Sequence, residues 1–91
     1  MHERRSKFDI AYEILLEAQN PTSKTRLVYS TNLNFRIAEK YFTLLEDLAL
    51  LEKICIDGKS YYLTTEKGRE FIKRYEDLAE DFSKNMIIKH L

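Results

Sequence analysis

Hydrogen-bond donors suited to a polyanion cluster in the first half of the chain. Between Lys24 and Lys40 the chain carries four cations, the other two being Arg26 and Arg36, against the single anion Glu39. Lysine and arginine neutralise phosphates, and arginine also forms paired hydrogen bonds with guanine in the major groove of DNA. These residue types therefore favour recognition of nucleic acid over catalysis. The alternative interpretation of Arg36 and Lys40 is an ordinary solvated helix face.

The candidate contacts fall into two groups according to their chemistry and position. Side chains expected nearest to base edges are Asn34, Phe35, Arg36 and Glu39. Side chains better suited to phosphates are Lys24, Thr25, Arg26, Ser30 and Lys40, and those expected at the backbone or minor groove, at a hairpin tip, are Lys59 and Ser60. Lys53 is a weaker candidate, because residues along a strand alternate between two faces.

Residues for catalysis or metal binding do not form a pattern. The sequence has no glycine-rich phosphate loop and no histidine near a nucleophile, since His2 and His90 stand near opposite ends. Cys55 is the single cysteine, which leaves no internal disulfide and no zinc-ligand spacing. We expect no enzyme activity, metal, cofactor or small-molecule ligand. Between Ile54 and Ile56, Cys55 is expected to be a small buried residue.

Composition indicates one small folded domain. The 91 residues are 44% hydrophobic and 33% charged, and the formal net charge is zero. A net charge of zero argues against coating DNA through bulk electrostatics, but one basic face remains compatible with it. No apolar run has the length of a membrane span or a signal peptide. We expect a soluble, cytoplasmic, nucleoid-associated protein without a membrane partner.

The elements that must position the candidate contacts begin with three helices. Apolar spacing and caps predict them at about Lys7–Gln19, Lys24–Ser30 and Phe35–Ala49. Pro21 ends the first helix, and Asn34 can cap the third. A short helix, a polar turn and a longer amphipathic helix are the pattern of a helix-turn-helix.

The third helix is expected to bury about half of its circumference. Its predicted inner stripe is Ile37, Tyr41, Leu44, Leu45 and Leu48, widened by Phe35, Ala38 and Phe42. Burial of this stripe leaves a narrow strip through Arg36 and Lys40 for a partner. Tyr29 and Tyr41 are each expected in the core with a solvated edge.

A hairpin follows the third helix. Asp57-Gly58 separates Leu51–Ile56 from Ser60–Thr64, and both segments are rich in residues that favour strands. The inner or interstrand contacts are expected from Ile54, Ile56, Tyr61 and Leu63. This hairpin would form a wing.

A helix of about 25 residues, capped by Thr65, is predicted for the rest of the chain. Gly68 in its first turns is expected to cost about 1 kcal/mol relative to alanine. An apolar seam at three-four spacing suits a coiled coil with a second copy, and consists of Phe71, Ile72, Tyr75, Leu78, Ala79, Phe82 and Met86. The predicted division is a winged-helix domain over 1–64 and a dimerisation helix over 65–91.

Several separated motifs, in order, resemble one family. They are Thr25-Arg-Leu-x-Tyr29, Asn32-Leu-Asn-Phe35, Lys40-Tyr-Phe42, Leu44-Leu45 and Tyr62-Leu-Thr-x-x-x-Gly68, followed by Phe71 and Tyr75. Over about residues 6–75 the chain resembles archaeal winged-helix proteins of the 10a chromatin type and related small regulators. The resemblance implies an antiparallel coiled-coil homodimer whose two winged-helix units bind double-stranded DNA. Where that family has a glycine after the third helix, this chain has Ala49.

Two hypotheses follow for an α+β, mostly α, winged helix-turn-helix with a hairpin wing and a long C-terminal helix. The first is a homodimeric transcriptional regulator that binds double-stranded DNA, either sequence-specifically or as an architectural protein. The second is a winged helix that serves as a protein-interaction module without reading DNA. The fold alone does not separate the two.

Overall fold

Four helices and one two-stranded hairpin follow each other in the predicted order. The computed structural model describes the backbone of residues 5–89 and the side chains of residues 5–84. The elements are α1 Lys7–Glu17, α2 Lys24–Thr31, α3 Phe35–Asp47, β1 Leu51–Ile56, β2 Lys59–Thr64 and α4 Glu66–Lys89. The predicted fold class, a mostly helical winged helix-turn-helix, is confirmed. Predicted boundaries differ from the observed ones by one or two residues.

Each helix begins at a side-chain cap. Ser6 and Asp9 form a reciprocal capping box at α1, and the Ser23 hydroxyl accepts from a backbone N–H in the first turn of α2. The Asn34 side chain caps α3, and the Thr65 hydroxyl accepts from the Gly68 N–H at 3.0 Å to cap α4. Because a cap satisfies N–H groups that have no partner inside the helix, these residues fix where each helix starts.

Each helix of the helix-turn-helix is followed by a residue in the left-handed conformation. Asn32 after α2 has φ 56°, and Ala49 after α3 has φ 61°. The Ala49 N–H donates to the Glu46 carbonyl at 2.9 Å, and the Leu50 N–H donates to the Leu45 carbonyl at 2.9 Å. This is the Schellman pattern, which favours glycine at the left-handed position. The chain forms it with alanine.

The core lies between the first three helices, the start of the hairpin and the first turns of α4. Phe42 of α3 and Tyr62 of β2 meet at its centre, with ring centroids 4.9 Å apart. The buried hydrophobic residues are Ile10, Ala11, Ile14, Leu15, Ala18, Leu27, Val28, Ala38, Phe42, Leu45, Leu50, Leu51, Tyr62 and Ile72. The expected inward position of Leu27 and Val28 is therefore confirmed.

The hairpin packs through a different set of side chains from the predicted one. Leu51 pairs with Thr64 and Lys53 with Tyr62 across the strands, and both Thr64 and Tyr62 are buried. Thr22 adds a bridge to β2 through two hydrogen bonds with the Tyr62 backbone. The inward contacts were assigned instead to four residues that are only half-buried or exposed: Ile54, Ile56, Tyr61 and Leu63. The Ile54–Tyr61 pair does lie across the strands.

The predicted inner stripe of α3 was wrong at three of its five positions. Ile37, Leu44 and Leu48 are 37%, 45% and 46% exposed. The buried residues are Leu45, which belongs to the predicted stripe, and Ala38 and Phe42, which were expected only to widen it. One residue along a helix corresponds to a rotation of about 100°, so the two stripes lie side by side. Both have helical spacing, and only the position of the rest of the core decides between them. The core selected the stripe that contains Phe42.

Three further single-residue expectations were wrong. Cys55 is exposed, because it lies on the free part of the hairpin beyond the body. Tyr29 is 78% exposed on α2, whereas Tyr41 is half-buried, as expected. Gly68 is buried, and an added Cβ would lie 2.3 Å from the Leu50 carbonyl oxygen and 2.5 Å from the Thr64 methyl carbon. The close approach of α4 to the hairpin therefore requires glycine.

The two halves of α4 have different surroundings. In the first half Ile72 is buried and Phe71 packs against the core. From Glu76 to Lys84 every side chain is exposed. The longest dimension of the chain is 56 Å, against 33 Å and 19 Å for the others.

Candidate nucleic-acid interface

The face of α3 opposite the core carries two exposed cations. Arg36 and Lys40 are one helical turn apart, and Thr43 follows on the same face. Within the described part of the chain, neither cation forms an ion pair or a side-chain hydrogen bond. Ala38 and Phe42 hold the other side of the helix in the core. The donors of Arg36 and Lys40 thus face solvent on a helix that is fixed by the core.

Asn34 and Phe35, at the start of α3, are placed differently from the cations. The Asn34 Oδ1 atom accepts the Ile37 N–H at 2.8 Å, so its acceptor is already used by the cap. Paired hydrogen bonding to adenine needs both the amide oxygen and the amide nitrogen. Asn34 can donate to a base or phosphate with its NH₂ group while its Oδ1 atom holds the cap. Phe35 is 51% exposed and offers an apolar contact beside it.

Glu39, which is exposed on α3, is paired with a lysine of α2. Its carboxylate forms an ion pair with the Lys24 ammonium, which joins the first turn of α2 to α3. Both side chains keep nearly half of their surface exposed, at 41% for Lys24 and 48% for Glu39. The pair holds a positive and a negative group together at the junction of the two helices.

The exposed side of α2 carries the other predicted phosphate contacts, and two of them share one acid. The Ser30 hydroxyl lies 3.2 Å from the Glu17 carboxylate, and Arg26 Nε lies 3.8 Å from the same oxygen. Thr25 is exposed. Glu17 therefore lowers the positive potential on this part of α2, which makes Arg26 and Ser30 weaker candidates than Arg36 and Lys40.

Arg5 supports the turn between α2 and α3. Its guanidinium donates to the Thr31 carbonyl at 2.7 Å and to the Glu13 carboxylate at 2.6 Å. No local pattern in the sequence relates Arg5 to Thr31, because the two residues are 26 positions apart. The contact fixes the C-terminal end of α2 against the residue that precedes α1.

The wing carries two exposed cations, Lys53 and Lys59. Lys59 and Ser60 are exposed near the hairpin turn, as predicted. Lys53 Nζ lies 5.8 Å from the centre of the Tyr62 ring, in the range of a cation–π contact. Lys53 and Lys24 line the same surface groove. Alternation along the strand places Lys53 on the face of β1 that lies towards the helices, so alternation gives no reason to rank it as a weaker candidate.

Five of the seven predicted dimer residues line an apolar groove between the start of α1 and α4. The groove holds about 450 Å³, and we call it the α4 groove; its lining residues are Ser6, Phe8, Asp9, Phe71, Tyr75, Leu78, Ala79 and Phe82. Ile72 lies in the core of its own chain instead, and the side chain of Met86 lies outside the described residues. Phe8 of α1, which is 67% exposed, joins the predicted residues in the lining.

Residues 4–82 match the family model described as winged helix-turn-helix. The chain belongs to the winged helix-turn-helix family. This membership accounts for the order of elements, and the family consists of DNA-binding regulators rather than enzymes, so the prediction of a non-enzymatic protein is confirmed. A comparison with proteins of curated function finds no match.

Solved structures share the winged helix-turn-helix fold at low sequence identity. Sso10a-2, a DNA-binding protein from Sulfolobus solfataricus, has a TM-score of 0.81 and 23% identity over 94% of this chain and 90% of its own. A mutant of the Staphylococcus aureus regulator MepR, bound to an oligodeoxyribonucleotide, has a TM-score of 0.72 and 7% identity over 89% of this chain and 61% of its own. The transcriptional regulator Tm0710 from Thermotoga maritima has a TM-score of 0.68 and 18% identity over 90% and 61%.

Other kinds of site can be examined within the described residues of this winged helix-turn-helix. None of its helices there combines the length and apolar character needed to cross a membrane. No group of three or more His, Cys, Asp or Glu side chains in that part of the chain is placed to hold a metal ion.

Proposed function

We propose that this protein binds double-stranded DNA as a homodimer and regulates transcription, with α3 in the major groove and the wing on the flanking backbone. The observation that carries the proposal is the pair of exposed cations, Arg36 and Lys40, on the face of a helix whose other side is anchored in the core. A major groove about 12 Å wide admits an α-helix, and arginine is the commonest reader of guanine there. An association with the nucleoid would follow.

Related structures support a DNA-binding role. Sso10a-2 is described as a DNA-binding protein, and the MepR mutant is bound to an oligodeoxyribonucleotide. Both share the overall fold of this chain, with TM-scores of 0.81 and 0.72. Because the net charge of this chain is zero, we infer a localised basic contact rather than extensive coating of the duplex.

The α4 groove supports dimerisation by a second copy. Phe8, Leu78 and Phe82 are each at least 60% exposed, and an exposed apolar patch of this kind marks an interaction site. A two-fold axis would place each α4 in the groove of its partner. Two recognition helices would then face one duplex, which compensates for the small contact that each makes.

The order of charges along α4 favours an antiparallel arrangement. Arg74 is followed by the acids Glu76, Asp77, Glu80 and Asp81 and then by Lys84. Parallel copies in register would set each charge beside its own copy, whereas antiparallel copies that cross near Asp77 set Arg74 beside Glu80 and Glu70 beside Lys84. Opposite charges across a helix pair select its orientation.

Charge reversal on α3 tests the proposal. Arg36→Glu combined with Lys40→Glu should weaken binding to duplex DNA by roughly 100-fold or more at moderate salt, because two phosphate-neutralising or base-reading groups become repulsive. Binding would be measured by fluorescence anisotropy, and folding by circular dichroism. Arg69→Glu combined with Lys73→Glu makes the same change at the same spacing on α4 and should bind as the parent does. If the α3 variant also binds as the parent does, α3 is not the reading helix.

A second function is favoured by the exposed stripe of Ile37, Leu44 and Leu48 on α3. This stripe lies beside the cationic strip and would suit an apolar contact with another protein. A salt titration separates the two functions. DNA binding should fall linearly with the logarithm of salt concentration, whereas an apolar contact should respond weakly.

A further inference from the structure

A second basic feature lies apart from α3, in a groove between the wing and the first turn of α2. This wing groove holds about 200 Å³, and its lining residues are Lys24, Lys53, Ser60, Tyr61 and Tyr62. Two of its five lining residues are lysines, contributed by different elements, and no acid lines it. It is therefore a concave surface with a positive rim.

The hairpin register explains why Lys53 reaches the groove. Leu51 and Lys53 are two residues apart and share one face of β1, and their cross-strand partners Thr64 and Tyr62 are buried against the helices. The inner face of the wing thus changes from apolar at Leu51 to cationic at Lys53 as it leaves the body. The Tyr62 ring supports the Lys53 ammonium from below, at 5.8 Å.

Lys24 enters the groove from α2 and is held in place by Glu39. Two carboxylates, Glu46 and Glu39, act electrostatically on Tyr62, and neither of them lines the groove. Glu39 neutralises part of the Lys24 charge, while Lys53 forms no ion pair with a described residue. An anion in the groove would thus contact the Lys53 ammonium and the Lys24 ammonium, of which the second is also paired with Glu39.

We infer that the wing groove binds one phosphate of the DNA backbone, with Lys24 and Lys53 as the cations and the Ser60 and Tyr61 hydroxyls as further donors. The size of the groove suits a single phosphodiester group and is too small for a base pair. A strand that passes from α3 towards the wing would run over it. The inference rests on the proposed function, and adds Lys53 and Tyr61 to the DNA contacts.

Phosphate contacts have a distinct signature. Loss of one such contact lowers the slope of log K against log salt by about 0.9 per bound protomer and weakens binding alike for all sequences. A base contact changes the preference for one base instead. This chain and a duplex that it binds are sufficient to test the inference.

The test compares Lys53→Gln with the parent chain and with Lys73→Gln, a matched loss of one exposed lysine on α4. Lys53→Gln should weaken binding about threefold to tenfold and reduce the salt slope, and Lys53→Arg should restore both. A duplex scanned with single neutral methylphosphonate linkages should contain one position that weakens the parent but no longer affects Lys53→Gln. Thermal unfolding of each variant checks that the wing remains folded.

Two failures are distinguishable. If the parent binds DNA and Lys53→Gln has the same affinity, salt slope and methylphosphonate profile as Lys73→Gln, the wing groove is not a phosphate site, and the role of α3 stands. If Lys53→Gln shifts base preference without a change in slope, the contact is to a base and the inference is overturned. If the parent chain does not bind duplex DNA at any salt concentration, the proposed function itself fails.

Discussion

Ala49, after α3, and Gly68, in the first turns of α4, show how single residues determine the path of the chain around the hairpin. Ala49 takes a left-handed conformation, which costs an L-residue with a Cβ roughly 1 to 2 kcal/mol. Gly68 takes an ordinary helical conformation but lies against the Leu50 carbonyl. Helix propensity alone would favour alanine at Gly68, and gives no reason for glycine at Ala49. The close contact with Leu50 favours glycine at position 68, and the positive φ favours glycine at position 49.

Ala49→Gly should stabilise the protein. Glycine adopts positive φ without a steric penalty, and the Schellman hydrogen bonds of Ala49 and Leu50 would be kept. The expected gain in the free energy of unfolding is about 1 kcal/mol, measured by urea denaturation. A lower free energy of unfolding in Ala49→Gly would show that the left-handed conformation carries little strain.

Gly68→Ala should destabilise the protein by about 1 to 3 kcal/mol, although alanine is the better helix former. The new Cβ would lie 2.3 Å from a backbone oxygen that cannot rotate away, so α4 must shift from the hairpin. The same urea experiment measures it. A Gly68→Ala variant as stable as the parent would mean that α4 shifts at little cost.

At the scale of elements, local signals predicted the secondary structure well. Ser6, Asn34 and Thr65 have side chains that cap helices, Pro21 prevents α1 from continuing, and Asp57-Gly58 permits the hairpin turn. Each of these constraints acts within a few residues. The element order and boundaries could be predicted for that reason.

The side of each element that faces the core was harder to predict. On α3, Ile37 and Ala38 begin two neighbouring stripes with the same period, and the buried one is selected by contacts with Tyr62, which is distant in sequence. The candidate site shows the same limit. Arg36 and Lys40 were predicted by residue type and helical position, whereas the Lys24–Glu39 pair and the groove around Lys53 depend on how the elements pack.

Two stacked tyrosines join α1 to α4. Tyr12 and Tyr75 have ring centroids 4.1 Å apart, and each donates to an acid on the other helix: Tyr12 to Glu76 at 2.7 Å, and Tyr75 to Asp9. The hydrogen bond to Asp9 raises the pKa of Tyr75 to about 12, and that to Glu76 raises the pKa of Tyr12. The Tyr75 hydroxyl in turn lowers the pKa of Asp9.

The raised pKa of Tyr75 predicts a pH window for stability. A folded-state pKa of about 12 against an ordinary value of 10.0 means that the proton is held more tightly in the folded state. The contribution is therefore complete below pH 10 and is lost as pH rises towards 12. Tyr75→Phe should be less stable than the parent at neutral pH, and this difference should shrink across that window.

Thermal unfolding at a series of alkaline pH values would measure the difference. Burial also raises the pKa of Tyr62 to about 12, so the parent and Tyr75→Phe should both lose some stability there. The contribution of Tyr62 is common to both proteins, so the difference in stability between them reports on Tyr75 alone. Tyr29→Phe removes a hydroxyl that is exposed on α2 and should match the parent throughout. A constant deficit of Tyr75→Phe up to pH 12 would contradict the assignment to Asp9.

At the scale of the whole molecule, the proposed DNA contacts and the proposed dimer contacts belong to different elements. The DNA contacts come from α2, α3 and the wing, whereas the α4 groove is lined by the start of α1 and by α4. One winged helix contributes few cations to a duplex, and the net charge of zero adds no long-range attraction. A dimer would double the contact and make the second half-site effectively intramolecular. Affinity for DNA should thus depend on residues that never touch it.

Phe82→Asp should separate the dimer and weaken DNA binding together. Phe82 is 69% exposed in the single chain, so the substitution should leave the fold intact, but it would place an unpaired carboxylate inside the proposed interface. Sedimentation equilibrium should give a monomer, and affinity for a duplex with two half-sites should fall by roughly 100-fold or more. A duplex with one half-site should be bound almost as before.

Leu16→Asp provides the matched control, because Leu16 is 41% exposed on α1 and does not line the α4 groove. This variant should remain a dimer with parental affinity for both duplexes. A Phe82→Asp variant that stays dimeric would place the interface elsewhere, and the exposed stripe of α3 would then be the first surface to test. A monomeric Phe82→Asp that retains full affinity for two half-sites would show instead that one winged helix suffices, and that α4 has another role.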